Sequence, residues 1–203
     1  MNGLLLLRHA HAVSNEGGLV NAVPPGDGLS PQGVAQARSL AARLAAEPIR
    51  LGVSSRLLRA RETLALALGD RDVPCTVEPL LDEIGFGSFE GGPLVDYRGW
   101  AWSHGPGDAC PGGGESRADA AARIARALEM LLGRSEEAIL AVGHALVLRY
   151  VLDAADGSPP NRHVAPVDHA TPFRLERPAV ERAASVLRTW AAEPSFADTP
   201  SGG

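Results

Sequence analysis

The sequence contains no lysine: all nineteen basic residues among its 203 are arginine. That absence excludes a Schiff-base lysine and a P-loop lysine together. The arginine bias also matches GC-rich codon usage, since alanine and glycine are abundant as well. Cysteine is scarce. Cys75 and Cys110, single and widely spaced, form neither a disulfide framework nor a CxxC metal site. No apolar run approaches the roughly 18 residues of a transmembrane helix. The apolar start at Met1–Leu7 has no basic stretch before it, so it reads as a first strand and not as a secretion signal. A net charge of −5 argues against a dedicated nucleic-acid binder. What remains is 45% apolar and 21% charged, the composition of an ordinary globular chain. At this length a single core buries roughly 70% of the unfolded surface and needs no staple. A cytoplasmic protein with no nucleic-acid and no membrane partner is expected.

Leu4–Leu7 and Ile139–Val142 are short, continuous apolar runs, which suit strands buried on both faces of a parallel sheet. Between them, Pro31–Glu47 repeats apolar residues at helical spacing behind an N-cap Ser30. Leu51–Ser54 reads as a strand feeding a helix over Arg59–Leu68. Ser116–Leu132 and His144–Leu152 read as further helices, and Val164–Val167, Phe173–Leu175 and Val186–Trp190 as late strands. The alternation predicts an α/β fold, three-layer α/β/α, with a mainly parallel central sheet flanked by helices. One domain over 1–192 is expected. A Gly-, Pro- and aromatic-rich insertion at about 85–115 reads as a lid, and 193–203 as a disordered tail.

Ligands of open α/β sheets sit beyond the carboxyl ends of the strands. Two strands end alike here: LLLL runs into Arg8-His9-Ala10, and ILAV into Gly143-His144-Ala145. If the strands are parallel neighbours, both imidazoles reach one crevice. A single histidine so placed is more often a structural strand cap; two in matching contexts favour a site. Ser55–Thr63 also lies at a strand-to-helix junction, where free N–H groups and the helix dipole attract anions. Arg59 there offers a two-pronged donor to phosphate. The alternative is that Arg56, Arg59 and Arg61 form a solvated helix face, as most arginine clusters do, which fits Arg61 best. His104, His163 and His169 read as surface or structural histidines. Phe86, Phe89, Tyr97, Trp100 and Trp102 either rim a site or pack the lid.

Six blocks between residues 4 and 152 resemble the histidine phosphatase superfamily, which includes the cofactor-dependent phosphoglycerate mutases. They are LLLLRHAHAVSN with Asn15, Asp27–Ala37, Ser55–Thr63, Leu81-Asp82-Glu83 with Phe89-Glu90-Gly91, Gly114-Glu115-Ser116, and ILAVGHALVLRYVL. The resemblance implies a phosphoglycerate mutase-like fold and a phosphohistidine at His9. Arg8, Arg59 and His144 would be catalytic charge donors and, with Asn15 and Ala145, phosphate-binding. Glu83 would be the proton donor, with its carboxyl pKa raised beside a dianionic phosphate. It implies no metal and no cofactor. The partner would be a small phosphorylated metabolite, and a homodimer is compatible. Ala10 and Ala145 replace the family's usual glycines, and both need negative φ. Ala12 replaces a hydroxyl residue, and the insertion carries Arg98 but no Lys, so a phosphatase fits better than a mutase. The FGSFEG block resembles branches acting on small metabolites, including α-ribazole phosphate. The alternatives are a phosphoglycerate mutase and a catalytically weak phosphate-binding regulator.

Overall fold

The two continuous apolar runs become the central strands of a sheet covered on both faces. The computed structural model describes residues 1–196. Strands β1 (Gly3–Arg8), β2 (Ile49–Ser54), β3 (Cys75–Val77), β4 (Ala138–Gly143) and β5 (Pro172–Glu176) lie in the order β3-β2-β4-β1-β5. The first four are mutually parallel, and β5 runs antiparallel to β1 at the edge. The helices are α1 (Val13–Glu16), α2 (Pro31–Arg43), α3 (Leu58–Leu68), α4 (Leu94–Ser103), α5 (Arg117–Leu132), α6 (Ala145–Ala155) and α7 (Arg177–Ala192). The fold is thus the expected three-layer α/β/α arrangement.

Side chains alternate across a strand, so each apolar run feeds both layers. Leu4, Leu6, Ile139 and Ala141 share a core with Ile124 and Leu128 of α5, Val147 of α6 and Leu187 of α7. Leu5, Leu7, Leu140 and Val142 share the other with Leu40 of α2 and Leu64 of α3. Each fully buried leucine contributes on the order of 1.5–3 kcal/mol, which is why no polar residue interrupts either run. The register between β1 and β4 pairs Arg8 with Gly143. The residues that follow, His9 and His144, therefore leave the sheet side by side.

Several boundaries differ from expectation. Helix α2 begins as expected, with Ser30 accepting from the Gly33 N–H at 3.2 Å, but ends at Arg43; α6 runs on to Ala155. Val164–Val167 forms no strand. Val186–Trp190 is not a strand either but the last turns of α7, where Val180, Ala183, Ala184, Leu187 and Trp190 are buried at helical spacing. The β-branched and aromatic residues in that short window imitate a strand; the longer window shows the helix. The three exposed residues of β3 on the sheet edge carry no alternation to find. The 85–115 insertion is less irregular than expected, since it holds α4 and a turn at Gly87–Phe89. Gly87 has φ +55°, and a side chain there would strike the Pro111 carbonyl oxygen at 2.0 Å. The expected disordered tail does not begin at 193. Phe196 is buried, the Trp190 indole donates to the Ser195 carbonyl at 2.7 Å, and the Arg162 guanidinium stacks on Phe196. The rest of that tail, 197–203, lies outside the described residues. Cys75 and Cys110 are free thiols. Among the described residues no helix is long and apolar enough to cross a membrane.

Candidate active site

Strand β1 delivers His9 into a buried position, and the loop that follows is held from three sides. The Ala10 N–H donates to the Thr63 hydroxyl at 2.9 Å, which itself donates to the Arg59 carbonyl at 2.7 Å. The His11 N–H donates to the Gln36 side chain at 2.9 Å. Gly33, in the first turn of α2, lets that loop pass: a Cβ there would meet the His11 carbonyl oxygen at 1.9 Å. The Asp27–Ala37 block thus acts on His9 by shaping the chain beside it. Among the described residues, Ala170 is the only non-glycine with positive φ, so Ala10 and Ala145 meet the backbone condition that alanine imposes.

The His9 ring has a defined direction. Nδ1 lies 2.8 Å from the Ala10 carbonyl oxygen, which can only accept, so Nδ1 carries the hydrogen and Nε2 the lone pair. Arg59 Nε donates to that Nε2 at 3.2 Å. The same guanidinium reaches His144, whose Nδ1 lies 3.3 Å from Arg59 Nη2, while the His144 Nε2 faces the Ser55 hydroxyl at 2.7 Å. The two imidazole centroids are 5.0 Å apart. Arg59 is itself buried and fixed by Asp27 at 3.3 Å and by the Asn21 carbonyl at 2.7 Å. Burial is the main cause that depresses the His9 pKa well below the ordinary histidine value, followed by His144, Arg59 and Arg8. His144 is depressed likewise, by burial and then by Arg59 and Arg8. Both rings are therefore neutral near pH 7.

Arg8, His9, Asn15, Arg59, Glu83 and Ala145 line one cavity of about 150 Å³, and His144 lies fully buried behind it. The sequence-predicted catalytic and phosphate-binding residues thus lie around one cavity, His144 from beneath its lining. Arg8 donates to the Val167 carbonyl at 2.6 Å, and its Nε is buried without a partner. The Asn15 carboxamide oxygen accepts from the Ala12 N–H at 2.9 Å, which leaves its NH₂ as the free donor. Glu83 is half-buried at the cavity wall, and its Oε1 accepts from the Ile84 N–H at 3.1 Å. Its carboxyl pKa is raised, chiefly by burial and against the pull of Arg59 and Arg8. Burial is the cause of this rise, distinct from the phosphate charge expected from the sequence.

The insertion supplies the opposite wall. Phe86, Tyr97 and Trp102 face the cavity, whereas Phe89 and Trp100 pack behind them, so the aromatics both rim the site and fill the insertion. Arg98 also lines it. His104 stacks on Trp100 at 4.6 Å and does not line the cavity; His163 is exposed. His169 is structural, as one of its two expected readings had it, and it sits against the site. Its Nδ1 donates to the His9 carbonyl at 2.8 Å, its ring lies 5.3 Å from that of His9, and burial, with Arg8, lowers its pKa to about 4. Neither His169 nor Asn21 announces itself in the sequence, because both sit on aperiodic loops. Ser55, Thr63 and Asp27 stand in the motif blocks, but only the geometry gives them their contacts.

The chain matches known proteins over most of its length. The model of the histidine phosphatase superfamily, branch 1, matches residues 4–189. The adenosylcobalamin/α-ribazole phosphatase of Escherichia coli K12 is 30% identical over 167 residues, 77% of this chain and 80% of that protein. The α-ribazole phosphatase of Shigella flexneri superposes with a TM-score of 0.76 at 28% identity, over 86% of this chain and 90% of its own. YhfR of Bacillus stearothermophilus gives 0.77 at 25% identity, over 87% and 91%.

Proposed function

The chain belongs to the histidine phosphatase superfamily, branch 1, and from that premise we propose that it is a metal-independent phosphatase hydrolysing phosphate monoesters of small metabolites through a phosphohistidine at His9. One observation carries the proposal: a single buried guanidinium, Arg59, touches the lone-pair nitrogen of His9 and the ring of His144 at once. A phosphoryl group bound there meets a neutral nucleophile already surrounded by fixed positive charge. Phosphoryl transfer asks mainly for such positioning and charge stabilisation.

In the first step the His9 Nε2 lone pair attacks phosphorus and the bond to the ester oxygen breaks. Arg8, Arg59 and the Asn15 amide donate to the phosphoryl oxygens, with His144 beside them. Each preorganised donor of this kind is worth roughly 2.7–4 kcal/mol. Glu83 gives its proton to the departing alkoxide; its burial keeps that proton available. In the second step water attacks phosphorus, Glu83 takes the water proton, the P–N bond breaks and inorganic phosphate leaves. The cavity walls of Leu19, Ile84, Phe86, Leu94 and Tyr97 suit a leaving group with apolar surface. α-Ribazole phosphate, the substrate named for the Escherichia coli relative, is the first metabolite to assay. Residues 1–192 act as one catalytic unit in this reading.

The test is hydrolysis of p-nitrophenyl phosphate in excess EDTA, without a bisphosphate primer. Release of inorganic phosphate that is abolished by His9→Ala is expected. Turnover that requires added metal overturns the metal-independent reading. Return of phosphorylated product only with a primer makes the protein a mutase, and phosphate binding without turnover makes it a regulator.

A further inference from the structure

The Gly114-Glu115-Ser116 block has one residue that neither the fold nor the proposed chemistry has absorbed. Ser116 caps α5, accepting from the Asp119 N–H at 3.0 Å. Glu115 does something else. It is gripped by Arg123 of α5 in a two-pronged pair, Nε to Oε1 at 2.7 Å and Nη2 to Oε2 at 2.8 Å. The side chains are 17% and 21% exposed.

Glu83 lies on irregular backbone between the turns Pro79–Leu81 and Gly87–Phe89. A side chain on such backbone keeps one direction only if the peptides around it are tied. The Arg123–Glu115 pair ties them on both sides. Arg123 Nη1 donates to the Leu80 carbonyl at 2.8 Å and to the Asp82 carbonyl at 2.9 Å. Glu115 Oε2 accepts from the Gly85 N–H at 3.3 Å, and the Glu115 N–H donates to the Gly85 carbonyl at 2.9 Å. Asp82 is also held through its side chain by the Arg56 N–H at 2.8 Å and Arg56 Nε at 2.7 Å. Arg123 and Glu115 line a second cavity, on which Glu83 also borders, and neither lines the cavity that holds His9. They do not reach the reacting atoms.

We infer that the Arg123–Glu115 pair is a positioning device that aims the Glu83 carboxyl at the leaving group. The inference rests on the reading of Glu83 as the proton donor. A planar, always-charged guanidinium suits the task, because it binds a carboxylate with two prongs and still has donors left for two carbonyls. Lysine in its place keeps the charge and loses the fork.

The test compares kcat/KM for phenyl phosphate, a poor leaving group, with that for p-nitrophenyl phosphate, a good one. In Arg123→Lys the phenyl to p-nitrophenyl ratio is expected to fall by at least about tenfold, since a misplacement of about 1 Å costs on the order of 10²-fold. The fall stays within that of Glu83→Gln, because an acid contributes roughly 10²–10⁴-fold in all. In the Glu83→Gln background, adding Arg123→Lys changes the ratio by less than about twofold, as expected when both act through one group. Equal slowing of both substrates, or the same fall in either background, reduces the pair to a fold contact and overturns the inference. Where Arg123→Lys does not melt cooperatively, Glu115→Gln, which keeps its shape, is held to the same criteria. If Glu83→Gln is selective and neither clamp variant is, only the clamp falls. If Glu83→Gln is itself unselective, the proton-donor reading falls and the clamp with it.

Discussion

Replacing Arg59 with methionine keeps most of the side-chain volume and removes one charge from the centre of the site. Arg59 is 4% exposed and touches His9, His144, Asp27 and Asn21. Two effects compete. Losing the cation makes both imidazoles easier to protonate, because Arg59 is one of the charges that depress them. Burial is the larger cause for each, so both rings remain neutral at pH 7.5 and the nucleophile survives. The transferring phosphoryl group loses a fixed positive charge beside the nucleophile. A lost donor of this kind costs roughly 10²–10³ in rate, or about 2.7–4 kcal/mol. The second effect wins, and kcat/KM for p-nitrophenyl phosphate is expected to fall by at least about 10²-fold. Removing one partner of a fully buried ion pair costs about 3–5 kcal/mol of stability. Asp27 is 17% exposed and also accepts from the Ser14 N–H, so the cost here is smaller, and the assay is run well below the melting temperature. The comparison is Arg61→Met, exposed on the same helix, which stays within about twofold of the parent. An Arg59→Met enzyme within tenfold of the parent refutes the reasoning.

Further outcomes follow from the same geometry. Gly33→Ala presses a methyl group onto the His11 carbonyl, and overpacking of this kind costs about 1–3 kcal/mol; a urea midpoint indistinguishable from the parent contradicts it. His9, His144 and His169 all have lowered pKa values in the folded chain. The unfolded chain therefore binds more protons below about pH 6.5, and stability is full above that pH and lost as pH falls through it. Each buried group contributes a slope approaching about 1.4 kcal/mol per pH unit. The melting temperature should drop between pH 7 and 5.5, and a flat or rising curve refutes the neutral assignment. Asp27→Asn should lower kcat/KM by roughly tenfold, by loosening Arg59 and leaving the His9 tautomer intact; an effect under twofold means that Asn21 alone suffices to fix Arg59.

Sequence and site agree most where one physical constraint acts alone. Leu4–Leu7 and Ile139–Val142 are apolar on both faces because helices cover both, and no other short element demands that pattern. Once those strands are neighbours, His9 and His144 have to meet. Elsewhere two constraints overlap and the pattern blurs. Val186–Trp190 carries strand-like residues inside a helix, since burial against α5 rewards large side chains whatever their propensity. Helix α4 is broken in pattern by Gly99 and by aromatics that serve the cavity as well as the insertion. His169 and Asn21 reach the site from loops whose course depends on the whole fold, so no local spacing marks them. Glu115 is visible as a motif residue, but its work lies in the backbone around residue 83, which no spacing reveals.

The central claim is a covalent bond between His9 and phosphorus. It is tested most directly by mixing enzyme with phosphoryl-labelled p-nitrophenyl phosphate, quenching in alkali within the first turnover, and locating the label by mass spectrometry of the digest. The account requires an alkali-stable, acid-labile phosphoryl group on His9 that appears before free phosphate accumulates and is missing in His9→Ala. Full turnover with no label on His9, or label on any other side chain, contradicts it.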